Sequence, residues 1–277
     1  MIDRKQPLIK ALLERRSAPA KWSGRLAFGI YFGFLMLISA WLLGYVSPKL
    51  YVAGLAILFI APVFIIILAL WGMAHVWNTG YQGGKRASFA CFLMLPLVIT
   101  LTLAIMNVSK GQITHDVWTG KSMTKPDYES LALIRSQNVY RAPIPDRVKE
   151  SGFLKAPPAP PLPVIMDISM QEAVSFAVLT AQLDMGWSLA TDIPDIVTEN
   201  FKFEATDNSF PLFFKDDIIV VLEEKENGIH INARSSSRIG QHDFGANRKR
   251  IAAYFRLIER RAAATIYNPD NLSIGLK

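Results

Sequence analysis

The 277-residue chain has one cysteine, only four histidines, and three long stretches without a charged residue. Each scarcity excludes something. A lone Cys91 forbids an intrachain disulfide, so cysteine usage carries no message about compartment. Four histidines without HxxxH or HxH spacing offer no transition-metal motif, and His115-Asp116 with Asp216-Asp217 would make an unusual metal site. No glycine-rich phosphate loop stands between a strand and a helix, and the aromatics do not interleave with a basic stripe. Neither a cofactor nor a nucleic-acid partner is therefore expected.

The uncharged stretches run from Leu26 to Val46, Tyr51 to Ala74 and Ala87 to Val108. About 20 helical residues rising ~1.5 Å each cover a hydrocarbon core of roughly 30 Å, so each stretch is long enough to cross a bilayer. Buried helices of a soluble protein are the alternative, but three successive uncharged runs exceed what such a core needs. The first run is too long for the apolar part of a signal peptide and two more follow it, so it reads as a retained anchor. Pro62 and Pro96 are tolerated in lipid as kinks, with no ionisable neighbour to mark an ion path. Trp22, Tyr31, Trp41, Tyr45, Tyr51, Trp71, Trp77 and Tyr81 gather towards span ends, as interface anchors do.

Seven cations between Arg4 and Arg25 precede the first span, Lys85 and Arg86 fill the second joint, and Lys49 stands alone in the first. The positive-inside rule then places the N-terminus in the cytoplasm and everything after Val108 on the opposite side. In a bacterium this is an inner-membrane protein with a periplasmic domain. The net charge of +7 reads as topology and contact with anionic membrane lipids. Leu8, Ile9, Leu12 and Leu13 share one helical face among Lys10, Arg15 and Arg16, which suits either the inner leaflet or a short disordered arm.

The chain thus divides into a basic arm (1–25), a three-span anchor (26–108), a linker region (109–163), an α+β domain (164–266) and a tail (267–277). The linker ends in a stiff proline-rich spacer, Ala156 to Pro163. In the last domain, Pro163 to Ile168 reads as a strand. Ser169 and Glu172 form a capping box for a helix carrying Val174, Ala177, Val178, Ala181 and Met185, which Gly186 stops. Strands follow at Trp187–Ala190, Phe201–Thr206, Ile218–Leu222 and Ile229–Ala233, with Asn227-Gly228 as a hairpin turn. Asn247 to Ala262 returns to helical spacing, with Ile251, Tyr254, Phe255 and Ile258 inward. The expected fold class is α+β: three transmembrane helices, then a two-layer domain of antiparallel strands with two helices on one face.

Chemistry gathers in the strand-to-helix connection from Arg234 to Ile251. Arg238 or Arg248 offers a guanidinium fork, and Asp243 and Asn247 stand at a helix N-terminus that favours anions. With Asp216 and Asp217 these are the candidate ligand-binding residues. The same types also serve structure: Gly240 and Gly245 for turns, Asp243 or Asn247 as a cap, and Arg238 paired with Asp216 or Asp217. Ser235 to Ser237, His242 and Asp243 hold the atoms of a hydrolase triad, yet as neighbours on one loop they cannot converge from separate elements. No catalytic residue is assigned.

The string SSSRIGQHDFGANRKRI, with FKDDIIVVL, FEATD, MGWSLAT and ITHDVWT upstream, resembles the membrane-anchored proteins of domain of unknown function family 1499. The resemblance extends roughly from Ile113 to Phe255. Arg238, Gly240, Asp243, Gly245, Asn247 and Arg250 match its central motif, and Asp216 and Asp217 its paired aspartates. It implies no reaction. The reading is a membrane-tethered envelope protein whose exposed domain binds an envelope partner or a small anionic ligand. The alternatives are an envelope hydrolase using the 235–248 loop and a structural subunit of a membrane complex.

Overall fold

Ser17 starts the first helix earlier than the uncharged run suggests. Its hydroxyl accepts from the Ala20 N–H at 3.5 Å, and Pro19 occupies the first turn, where a missing N–H costs nothing. Helix α1 (Ala18–Leu42) therefore absorbs residues 18–25, which the sequence had placed in the basic arm. The computed structural model describes residues 15–109, 114–120, 124–141, 143–152, 154–156, 158–197, 200–209 and 212–267. The amphipathic face from Leu8 to Leu13 and all but the first residue of the 267–277 tail lie outside the described residues. The chain separates into two units, Met1–Ser109 and Lys110–Lys277.

In the first unit, α1 is followed by α2 (Pro48–Thr79) and α3 (Gly84–Val108), and all three are long and apolar enough to cross a membrane. Helix α2 has 32 residues, ends at Gly80 in the left-handed region (φ 70°), and at ~1.5 Å per residue exceeds a hydrocarbon core of roughly 30 Å. Small residues set the helix contacts. Ala20, Ala27, Ala69, Ala87 and Ala90 are wholly buried, and a Cβ on Gly72 would stand 2.7 Å from the Ala20 nitrogen.

The second unit is built on six strands: β1 (Asp116–Trp118), β2 (Val164–Met166), β3 (Ser188–Leu189), β4 (Phe201–Ser209), β5 (Phe214–Lys225) and β6 (Gly228–Ser237). Their order is β1-β6-β5-β4-β3, all antiparallel, and β2 also pairs with β6. Strands β1 and β2 lie end to end along one edge of β6, opposite residues 234–236 and 229–231. Thr119 fills the gap between them by bonding Ala233. Helix α4 (Ala132–Asn138) and the single turn α5 (Asp146–Glu150) lie in the excursion between β1 and β2.

The segment read as a linker is thus partly inside the domain. The proline-rich stretch follows β1 rather than preceding the fold, and Ala159 accepts a hydrogen bond from Arg248 at 2.8 Å. It joins two parts of one sheet and is not a spacer ahead of the domain. The apolar sparseness of residues 114–141 concealed this, because their contacts are largely polar.

One face of the sheet carries both long helices, α6 (Met170–Leu179) and α7 (Ala246–Tyr267). The Ser169–Glu172 capping box opens α6, and a π turn (Thr180–Asp184) closes it before Gly186 (φ 68°). Ile251, Tyr254 and Ile258 of α7 meet Phe203, Ile218, Val220, Leu222 and Ile231 in the main core. On the opposite face Ile219 and Val221 meet Tyr128 and Leu131 from the excursion.

The β5–β6 hairpin turns at Glu226 and Asn227, with Gly228 already paired to Lys225, one residue earlier than the sequence reading. Gly228 has φ 111°, and a Cβ there would lie 2.5 Å from the Met166 carbonyl oxygen. Gly228→Ala is expected to cost about 1–3 kcal/mol or more by backbone strain, together with displacement of β2. Thermal unfolding of the full chain checks this, and an unchanged melting temperature would contradict it.

Candidate functional site

Consecutive residues on a strand point to opposite faces. Asp216 and Asp217, side by side on β5 and fully buried, therefore cannot share one site. Asp216 stands opposite Ser237 on the helix-bearing face, and Asp217 stands opposite Ser236 on the other.

On the helix face Arg250, from the first turns of α7, uses all five of its N–H groups. Its Nε donates to Asp207 at 2.7 Å, one Nη to Ser235 (3.1 Å) and Asn247 (2.8 Å), and the other to Ser209 (3.0 Å) and Asp216 (2.5 Å). Asn247 is equally committed. Its oxygen also accepts from Ser235 at 2.6 Å, and its amide donates to Ser237 (3.0 Å) and the His115 carbonyl (3.2 Å). Asp243 caps α7, accepting from the Gly245 and Asn247 N–H groups at 2.9 and 2.7 Å. The Ser235 hydroxyl donates to Asn247 rather than to a histidine. Arg248, the remaining candidate on this helix, is exposed and reaches the Ala159 carbonyl. This network is closed on itself, with a structural role for Asp216, Asp243 and Asn247.

The opposite face is different. Asp217 accepts a fork from Arg238, whose Nε lies 2.9 and 3.0 Å from its two oxygens and whose Nη2 lies 2.6 Å away, and Arg135 of α4 also ion-pairs with it. Tyr128 donates to the Asp217 carbonyl at 2.9 Å, and its ring lies beneath the guanidinium groups of Arg135 (4.0 Å) and Arg234 (4.7 Å). Arg234 and Lys125 both engage Asp116, Arg234 through two bonds of 2.9 and 3.2 Å. The buried Glu204 carboxylate accepts the Glu129 and Leu131 N–H groups at 2.6 and 2.9 Å, fixing the excursion over the sheet.

Arg141 sits within the field of Asp116 but is not paired with it. Its Nη2 donates to the Ser237 carbonyl at 2.5 Å and lies 3.5 Å from the Ser236 hydroxyl, which Arg135 also reaches at 3.3 Å. Among the described residues its buried Nε has no hydrogen-bond partner, and neither has the Nδ1 of His115. No ion pair to Arg141 occurs among the described residues. Burial first, then the neighbouring Arg135 charge, lowers the pKa of Arg141. Burial, then the Arg141 charge, also lowers that of His115.

Of the six candidate residues, the structure brings Asp217 and Arg238 together on one face, and Asp216 and Asn247 on the other, with Asp243 and Arg248 at the helix end. His115 entered the sequence reading only with a metal site and Arg234 only as the start of the strand-to-helix connection, and Arg135, Arg141 and Tyr128 were missed as site residues. They sit about eighty to one hundred and twenty residues from their partners, and nothing in local spacing announces such contacts. Among the described residues no group of three His, Cys, Asp or Glu converges to hold a metal ion.

Arg238→Ala leaves the buried Asp217 with one arginine fewer and is expected to cost about 3–5 kcal/mol. Arg248→Ala at the exposed helix end should stay within about 0.5 kcal/mol. Denaturant unfolding of both variants checks the contrast, and equal effects would contradict the assignment. Stability should also fall on acidification. Burial alone would raise the Asp116 carboxyl, but hydrogen bonds from Arg234 and Lys125 hold it below its ordinary value. His115 and Asp116 both bind fewer protons folded than unfolded, so their contributions are complete above about pH 6.5 and are lost as pH falls, His115 first and Asp116 below about 3.9. Melting temperatures measured between about pH 8 and 3 test the sign.

The family described as protein of unknown function (DUF1499) matches residues 149–258. No curated protein and no solved structure matches the chain. The matched segment contains Asp216, Asp217, Arg238, Gly240, Asp243, Gly245, Asn247 and Arg250, the motif positions of the sequence resemblance, whereas its ITHDVWT string lies before residue 149. Over residues 149–258 the chain is therefore similar to this family, whose model names no reaction.

Proposed function

We propose that the protein is integral to a bacterial inner membrane, with a cytoplasmic N-terminus, and that its periplasmic α+β domain binds a small anionic ligand at Arg141. The observation that carries this reading is the half-buried Arg141 guanidinium, whose buried Nε lacks a hydrogen-bond partner among the described residues. A desolvated guanidinium gains most from a charged acceptor that can take two of its N–H groups, such as a carboxylate or phosphate. Arg135, Arg234, Arg238 and Lys125 add positive field around it, offset by Asp116 and Asp217. The closed network on the helix face supports the anion reading over hydrolysis, since Ser235 is buried and bonded to Asn247 and Arg250.

Two experiments test this. Inorganic phosphate or a small dicarboxylate should raise the melting temperature of the detergent-solubilised full chain, as a ligand that binds only the folded state does. Arg141→Ala should abolish that rise while changing the ligand-free melting temperature by no more than a few degrees, and Arg248→Ala should keep it. Absence of any rise in the parent protein across these anions would refute the proposal. For orientation, a phosphatase reporter fused after Lys277 should be active in a bacterial host, and activity of a cytoplasm-dependent reporter alone would reverse the topology.

A further inference from the structure

Residues Met1–Ser109 contain ten lysines and arginines against two acids, Asp3 and Glu14, and there is no Asp or Glu between Glu14 and Asp116. The exposed unit, by the same count, is close to neutral, with 20 cations and 21 acids. The membrane unit therefore holds a net +8 that it cannot neutralise internally. Six of its described cations, Arg15, Arg16, Lys21, Arg25, Lys85 and Arg86, cluster where α1 begins, α2 ends and α3 begins, whereas Lys49 lies in the opposite joint.

These cations surround a formed cleft. A volume of about 570 Å³ is lined by Arg16, Lys21, Tyr81, Gln82, Lys85 and Arg86, among others. Its wall is fixed by backbone. The Ser17 N–H donates to the Gln82 carbonyl at 3.0 Å and the Gln82 N–H to the Arg15 carbonyl at 2.9 Å, which pairs the chain entering α1 with the α2–α3 joint. The Arg15 guanidinium braces the same joint through the Tyr81 hydroxyl at 3.2 Å. Gly83, at φ 136°, lets the joint close on α1, since a Cβ there would come within 3.0 Å of the Ala20 Cβ. Helix α3 opens at Gly84 without a side-chain cap, and helix N-termini attract phosphate.

A cleft of this kind, cationic, with no acid among its described lining residues and at the end of a bundle of apolar helices, matches one chemistry. We propose that it seats the phosphodiester headgroup of an anionic phospholipid, with Lys21, Lys85 and Arg86 facing the phosphate and the exposed apolar flanks of α1 and α3 accommodating the acyl chains. The headgroup supplies the negative charge that the unit lacks, and the lipid tails separate this ligand from a free phosphate ion. The site belongs to the membrane unit and is independent of Arg141.

The test uses the purified full chain in a neutral detergent, with melting temperature and lipid retention in native mass spectrometry as readouts. Phosphatidylglycerol should raise the melting temperature by several degrees and survive as a bound adduct, whereas phosphatidylcholine should do neither. The double substitution Lys85→Gln/Arg86→Gln should remove both effects, and Lys21→Gln should weaken them, giving a second reading should the double variant fail to fold. Lys49→Gln, at the other end of the bundle, should leave them intact. Equal loss in Lys49→Gln, or equal stabilisation by phosphatidylcholine, would overturn the proposal in favour of unlocalised surface charge. Full stabilisation by inorganic phosphate alone would overturn the lipid assignment and leave a free-anion site.

Discussion

A buried strand that carries two adjacent carboxylates has to be neutralised from both sides at once. Asp216 and Asp217 impose that condition on the α+β unit, because the alternation of a strand sends them to opposite faces and each is withdrawn from water. Isolated carboxylates in such places would be strongly destabilising, so each must meet a hydrogen-bonded cation. Arg250 answers from α7 and Arg238 from the end of β6, with Arg135 joining from the excursion. The placement of α7 over one face and of residues 124–141 over the other follows from this double requirement as much as from apolar packing.

The two answers differ in kind. On the helix face Arg250, Asn247, Asp207, Asp216 and the serines bond to one another, and none of their buried side-chain atoms lacks a partner among the described residues. Such a network specifies one arrangement and resists change. On the opposite face Arg141 makes no ion pair among the described residues, although Arg135, Arg234 and Arg238 all do. The segment matched by the family, residues 149–258, contains the whole helix-face network except the His115 carbonyl, while Asp116, Tyr128, Arg135 and Arg141 of the opposite face lie before it.

Much of this fold was legible in the sequence because its signals are local. Uncharged runs gave the spans, the Ser169–Glu172 box gave the start of α6, and the 3.6-residue spacing of Ile251, Tyr254, Phe255 and Ile258 gave the inner face of α7. The pairing of Arg238 with one of the two aspartates was also within reach, because loop and strand are close in sequence. What was not legible is the division of the site between two faces by a single residue's alternation. Nor was the role of residues 114–141, whose three-residue strand and short helix carry no periodicity to read. They hold their place through Glu204, Asp217 and Arg234, which lie far along the chain.

The same distances set an order of assembly. Arg250 finds Asn247, Ser235, Asp216 and Asp207 at sequence separations of 3, 15, 34 and 43 residues. Arg135, Arg141 and Arg234 must instead close loops of 82, 95 and 118 residues to reach Asp217, Ser236 and Asp116. Loop-closure entropy grows with length, and distant contacts are made only after nearer ones have narrowed the search. The helix-bearing side of the sheet is thus the earlier to form, and the arginine-rich side closes over a surface already in place. In the reverse direction the late side is the first to open, so that native-state hydrogen exchange at the Glu129 and Leu131 amides would report a local opening from which the Arg250 cluster is insulated.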